Sequence, residues 1–183
     1  MQTILGEGRI IAVCLSEKHG YPTYPKPFVA VGMLGMEGDA HSGELRESFT
    51  KPGTLKPNDR PISIVADEVR REMNARFGLN IQPGGFNEQI LVTGLGDLSY
   101  VEIGDHVLFG DEAMPLDIEI TDNAYPCARL EAFHNQSGLM EALLIPQEGK
   151  KPRSKRGILG KVKTPGELRE GVSVRLFRYN TSI

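Results

Sequence analysis

The sequence predicts a mainly β fold, a barrel or a sandwich. Three observations point that way: short apolar runs recur along the chain, Gly- and Pro-containing turns separate them, and one segment alone has a good helical period. Regular strand–helix alternation, the mark of a parallel α/β sheet, does not run through the pattern.

Residues 8–15 and 28–34 are near-continuous apolar runs, too short for a typical buried helix, and both read as strands. Residues 61–65 lead into 67–78, where Val69, Met73, Ala75 and Phe77 roughly follow helical spacing and Gly78 supplies a C-terminal stop. Further strands are expected at 90–93, 106–109, 116–120, 158–162 and 172–177, with a shorter helix around 138–144. Loops are expected at 51–58, 59–60 and 149–154. None of them is long enough for a domain linker and no internal repeat is visible, so residues 1–183 read as one domain.

Composition narrows the function classes. A chain of 183 residues can bury roughly two thirds of its unfolded surface, so it needs no covalent staples. No apolar run reaches the length of a membrane span, and the first eight residues lack the basic stretch and apolar core of a secretory signal, so no membrane partner and a cytoplasmic protein are expected. The net charge of −3 argues against bulk nucleic-acid binding, although Lys150, Lys151, Arg153, Lys155 and Arg156 crowd into one expected loop. That loop suits an anion or a solvated surface, and it has no aromatic on which a base would stack.

The chemistry-bearing motifs are few. Residues 32–39 are glycine-rich but lack the Gly-x-Gly-x-x-Gly spacing of a dinucleotide site, and they read as a turn leaving a strand. Asp39 and His41, two residues apart on that turn, can line a polar pocket or orient a substrate. The four histidines, His19, His41, His106 and His134, are scattered without ligand spacing, and no Gly-x-Ser-x-Gly elbow is present. Cys14 lies in an apolar strand and reads as a small core residue. Cys127 follows Pro126, precedes Arg129 and comes just after an expected strand, where a loop can present a thiol and a nearby cation can favour its thiolate. Residue chemistry alone still favours a buried thiol at Cys127.

An ordered set of segments changes that preference. Gly35-Met36-Glu37-Gly38-Asp39-Ala40-His41, Arg60-Pro61-Ile62-Ser63-Ile64, Gly85-Phe86-Asn87-Glu88-Gln89-Ile90, Ile103-Gly104-Asp105, Tyr125-Pro126-Cys127-Ala128-Arg129-Leu130 and Arg156-Gly157-Ile158-Leu159 together resemble the MOSC domain family, named for the C-terminal domain of molybdenum-cofactor sulfurase. The similarity runs from about residue 9 to about residue 177 and is that of a standalone member. The resemblance implies a closed or partly open β-barrel with one or two short helices. It implies a molybdenum cofactor, a molybdenum–pterin, with Cys127 as metal ligand and catalytic residue. It makes Asp39, His41, Arg60, Asn87, Arg129 and Arg156 candidates for holding the cofactor or substrate.

The activity so implied is reduction of N-hydroxylated compounds with electrons from a separate redox partner. Two alternatives stand beside it. One is sulfur transfer through a persulfide on Cys127, with a cysteine desulfurase as partner; the other is a non-catalytic carrier that presents the cofactor to molybdenum-cofactor enzymes or biosynthesis proteins. Soft thiolates suit soft metals, and a thiolate is also the form that delivers sulfur. This chain departs from the family pattern at two places: Asn123-Ala124-Tyr125 stands where many members have an Arg shortly before Pro-Cys, and Asn87-Glu88-Gln89 stands where they have Gly-Glu-Asn.

Overall fold

The computed structural model describes residues 2–48, 50–111 and 113–179. In chain order the strands are β1 (Gln2–Leu15), β2 (Tyr24–Lys26), β3 (Phe28–Gly32), β4 (Gly35–Met36), β5 (Leu45–Glu47), β6 (Leu55–Pro57), β7 (Ile62–Ala66), β8 (Ile90–Thr93), β9 (His106–Phe109), β10 (Leu116–Asn123), β11 (Leu144–Gln147), β12 (Lys150–Ser154), β13 (Ile158–Thr164), β14 (Gly166–Arg169) and β15 (Ser173–Tyr179). The helices are α1 (Asp67–Phe77), α2 (Ala128–His134) and α3 (Leu139–Ala142).

Seven strands form a closed barrel in the order β15-β9-β10-β13-β7-β8-β1, with β1 pairing back onto β15. Closure depends on the long first strand. Residues 2–9 of β1 pair with β15 and residues 9–13 pair with β8, and register shifts between Ile4 and Gly6 and between Ile10 and Ala12 bend the strand from one neighbour to the other. The inward positions alternate with outward ones, so Ile62 and Ile64, Ile118 and Ile120, and Val174 and Leu176 fill the interior.

The pair β7–β8 is parallel, with Ile64 opposite Ile90 and Ala66 opposite Val92. Parallel neighbours need a crossover, and α1 supplies it. The helix buries Val69 and Met73, one turn apart, with Asp67 and Glu68 in its first turn. It stops at Gly78, whose φ of 65° gives the left-handed cap expected from the sequence.

Most expected strands are found, several of them longer than the apolar run that revealed them. Two expected loops need correction. Residues 150–154 form β12, which pairs with β11 across a turn at Glu148 and Gly149, and the segment 51–58 contains β6, paired with β5. The run 28–34 ends as a strand at Gly32, because Met33 and Leu34 make the turn into β4 and are exposed. There are three helices among the described residues where one or two were expected; α2 is the addition. No described helix is long and apolar enough to cross a membrane.

Candidate functional site

Cys127 sits where β10 gives way to α2. The pairing of β10 with β13 continues one step past the strand, as Ala124 N donates to Gly157 O at 2.9 Å. Pro126 cannot extend a ladder, and Cys127 then takes an extended conformation at the head of α2 (φ −135°, ψ 163°). Its carbonyl accepts from Leu130 N at 2.9 Å, and the buried Leu130 anchors the helix against the core. The thiol is left partly exposed, in contrast to the fully buried Cys14, whose thiol burial pushes up to about 12. Cys14 is a core residue, as expected.

Tyr21 and Arg156 stand beside the thiol. The Tyr21 hydroxyl lies 3.9 Å from Cys127 Sγ, and Arg156 Nη2 donates to that hydroxyl at 3.5 Å and to Phe86 O at 2.7 Å. The Tyr21 ring stacks on Phe133 of α2, with centroids 5.5 Å apart. Arg156 reaches this position because Gly157 brings the chain close against β7: with φ of 126°, a Cβ there would stand 2.2 Å from Ile64 O. The backbone before it is fixed by Ser154 Oγ, which donates to Ala124 O and accepts from Arg156 N.

The segment from Gly84 to Gln89 joins this thiol group to a second one. Glu88 is fully buried, and its carboxylate accepts from Gly84 N at 2.6 Å and Phe86 N at 2.9 Å. Burial pushes the Glu88 carboxyl up to about 7, although those amides and Arg156 oppose the shift. Asn87 holds a positive φ of 60° in the same turn. Its Oδ1 and the Nε of Arg156 are buried without a hydrogen-bond partner among the described residues.

Next along the chain, Gln89 Nε2 donates to Asp39 Oδ1 and to Pro61 O, both at 3.0 Å, while its Oε1 accepts from Ser63 N at 2.7 Å. The buried Asp39 also accepts from Ser16 N, His41 N and the His41 ring Nδ1, the last at 2.9 Å. Burial raises the Asp39 carboxyl, but these bonds outweigh it and hold the group below its ordinary value. The His41 and His19 rings meet in a T-shaped contact with centroids 4.9 Å apart.

The structure therefore brings Cys127, Arg156 and Asn87 into one neighbourhood and ties Asp39 and His41 to it through Gln89. Arg60 pairs with Asp122 on β10 at 2.8 Å. Arg129 is exposed and makes no hydrogen bond or ion pair with the described residues. The basic segment is partly engaged: Lys155 pairs with Glu72, and Lys151 lies over the Tyr125 ring. Sequence reasoning missed Tyr21, Glu88 and Phe86 as site-building residues, since a lone Tyr beside Gly and Pro carries no motif and a carbonyl carries none at all. Gln89 was visible as a departure from the family pattern.

The sequence pattern of the MOSC domain family matches residues 37–175. The chain belongs to the MOSC domain family. The matched region contains Cys127, Arg156 and the Asp39–His41 turn but leaves Tyr21 outside. A comparison with curated proteins gives no match. Among solved structures, this MOSC protein is similar to YuaD from Bacillus subtilis at a TM-score of 0.79 and 20% identity, covering 98% of this chain and 99% of that one. It is also similar to YiiM from Geobacillus stearothermophilus at 0.64 and 20% identity, with 96% and 77% covered, and to YiiM from Escherichia coli at 0.58 and 20% identity, with 96% and 72% covered. At that identity the likeness is one of fold.

Proposed function

We propose that this MOSC protein binds a molybdenum cofactor with Cys127 as a ligand of the metal and reduces N-hydroxylated compounds, taking electrons from a separate protein. The observation that carries the reading is a half-buried cysteine linked through the Tyr21 hydroxyl to a group of unsatisfied polar atoms: Arg156 Nε is a donor and Asn87 Oδ1 an acceptor, both buried with no partner among the described residues. Buried groups left in that state fit a ligand that supplies the missing partners, and a soft sulfur donor fits molybdenum. MOSC domains are generally associated with this cofactor.

Cys127 would hold the metal, and Arg156 and Asn87 would orient the organic part of the cofactor. When bound, that group supplies the two-electron redox chemistry. The protein's own contribution is positional. Tyr21, stacked on Phe133, sets its hydroxyl beside the thiol, Arg156 is locked by Phe86 O, and the Glu88 carboxylate holds the 84–88 turn that presents both Phe86 O and Asn87. The test is expression in a host that makes the cofactor, with molybdenum, pterin and hydroxylamine reduction measured for wild type and Cys127→Ala. Wild type should carry both components and turn over; absent metal in both proteins would sink the reading.

The partial exposure of Cys127 also supports sulfur transfer, in which the thiolate takes sulfane sulfur from a cysteine desulfurase persulfide and passes it on. A mass gain of one sulfur atom after incubation with a desulfurase and cysteine, lost in Cys127→Ala, would favour that reading.

A further inference from the structure

Most of the basic segment that stands out in the sequence is left unused by the thiol group. Residues 127–156 hold six cations against three carboxylates, although the chain as a whole carries a net charge of −3. Arg156 belongs to the thiol group, and Lys155 is paired with Glu72 at 3.0 Å. Arg129, Lys150, Lys151 and Arg153 are exposed and make no ion pair among the described residues. Of the carboxylates, Glu131 accepts from the Met140 amide, and Glu141 and Glu148 are exposed.

The hairpin β11–β12 presents three of these free cations, and it is bound to the stretch that leads into Cys127. Ser154 Oγ donates to Ala124 O at 2.6 Å, the Tyr125 hydroxyl donates to Pro152 O at 3.0 Å, and Lys151 Nζ lies 3.6 Å from the centre of the Tyr125 ring. That cation–π contact orders Lys151 without cancelling its charge. Beyond Cys127, α2 carries Arg129 and Phe133 one turn apart, both exposed. The Phe133 ring stacks on Tyr21, whose hydroxyl lies 3.9 Å from Cys127 Sγ. The half-buried thiol is thus flanked by a basic hairpin and by a helix that pairs a cation with an exposed aromatic ring.

We propose that this face docks the electron donor and that the donor is a small acidic electron-carrier protein. The proposal rests on the reductase reading above and names the chemistry of its partner. A local positive field on a chain of net negative charge steers an acidic patch onto this face and turns basic partners away. Phe133 supplies an apolar centre beside the charged rim. A small, charge-steered contact also suits a transient redox encounter, in which each carrier is oxidised as it gives up its electron and then leaves. A pair of electrons with a pair of protons converts R–NHOH to the amine and water. Nucleic acid would answer the same charge, but the hairpin carries no aromatic and Lys151 occupies one face of Tyr125, so successive bases find no row of platforms.

The test uses the full chain and two acidic carriers as probes, a bacterial flavodoxin and an iron–sulfur ferredoxin. Without cofactor, at least one carrier should bind wild type, and the affinity should fall about 10-fold or more from low to moderate salt. Lys150→Glu/Lys151→Glu/Arg153→Glu should lose about 10-fold or more at low salt. Lys51→Glu/Lys56→Glu/Arg169→Glu, which reverses exposed cations of other segments, should lose less. In the molybdenum-loaded enzyme the hairpin variant should need about 10-fold more reduced carrier for the same hydroxylamine turnover, while turnover driven by reduced methyl viologen stays at the wild-type rate. Binding of neither carrier, or equal losses in the two triple variants, overturns the docking face alone. Tighter binding of a single-stranded oligonucleotide than of either carrier, lost with the hairpin charges, overturns it in favour of nucleic acid. A metal-loaded wild type that reduces no hydroxylamine even with viologen overturns the reductase reading, and with it the carrier's role as donor.

Discussion

The Tyr21 hydroxyl lies 3.9 Å from Cys127 Sγ and 3.5 Å from Arg156 Nη2, so one oxygen joins the thiol to the guanidinium. Three distant stretches of chain meet there: the loop after β1, the β10–α2 junction and the entry to β13. The thiol is thereby held at the edge of the barrel, partly open to solvent, while the other cysteine is sealed in the core.

That difference fixes the reactivity of the two thiols. In the native protein one equivalent of a thiol reagent should react quickly, at Cys127, because Cys14 is buried and its thiol is pushed up to about 12. Denaturation should release the second. Cys127→Ala should show no fast thiol, and a fast equivalent persisting in that variant would contradict the assignment.

Arg156→Ala removes the bond to Phe86 O and the contact with Tyr21 at once. Urea denaturation should show a loss of about 1–3 kcal/mol, since a buried carbonyl is left without its donor. Arg156→Lys should restore only part of it, because an ammonium lacks the planar fork that reaches both oxygens. Full recovery with Lys would mean that charge alone matters at this position.

Glu88 gives the fold a pH dependence of defined sign. Its folded carboxyl titrates at about 7, above its ordinary value of 4.5, so the folded state binds the proton more tightly than the unfolded chain. Its stabilising contribution is full below about 4.5 and is lost as pH rises through about 7, by about 3 kcal/mol at most. Asp39 acts in the opposite direction but below its ordinary value of 3.8, outside this window. Glu88→Gln should flatten the stability profile between pH 4.5 and 7 relative to wild type. Parallel profiles for the two proteins would contradict the buried-carboxyl account.

Gly157→Ala should destabilise by about 3 kcal/mol or more, because it combines a strained positive φ with a Cβ driven into Ile64 O. The damage falls on the step that places Arg156. Thermal denaturation with stability near that of wild type would show that β13 can enter the barrel by another path.

Much of the barrel was legible because its strands are apolar runs bounded by turns; β8 and β9 coincide with the runs 90–93 and 106–109. Helix α1 was legible from Val69 and Met73 and from Gly78. Helix α2 was not, since it has seven residues and buries Leu130 alone, too little for any period to emerge. Strand β12 read as a loop because Lys150, Lys151 and Arg153 mark a solvated segment in composition while its backbone pairs with β11. Within the site, Cys127, Asn87 and Arg156 were named from sequence and do converge. Tyr21, which contacts two of the groups there, lies outside the matched family region, and its role depends on a stack with Phe133 that no local pattern encodes.

The most direct test of the central claim is X-ray absorption at the molybdenum edge of protein purified from a cofactor-producing host, comparing wild type with Cys127→Ser. The expected result is one sulfur neighbour fewer around molybdenum in the variant, with pterin still detectable. Molybdenum bound with the same sulfur count in both proteins would contradict ligation by Cys127.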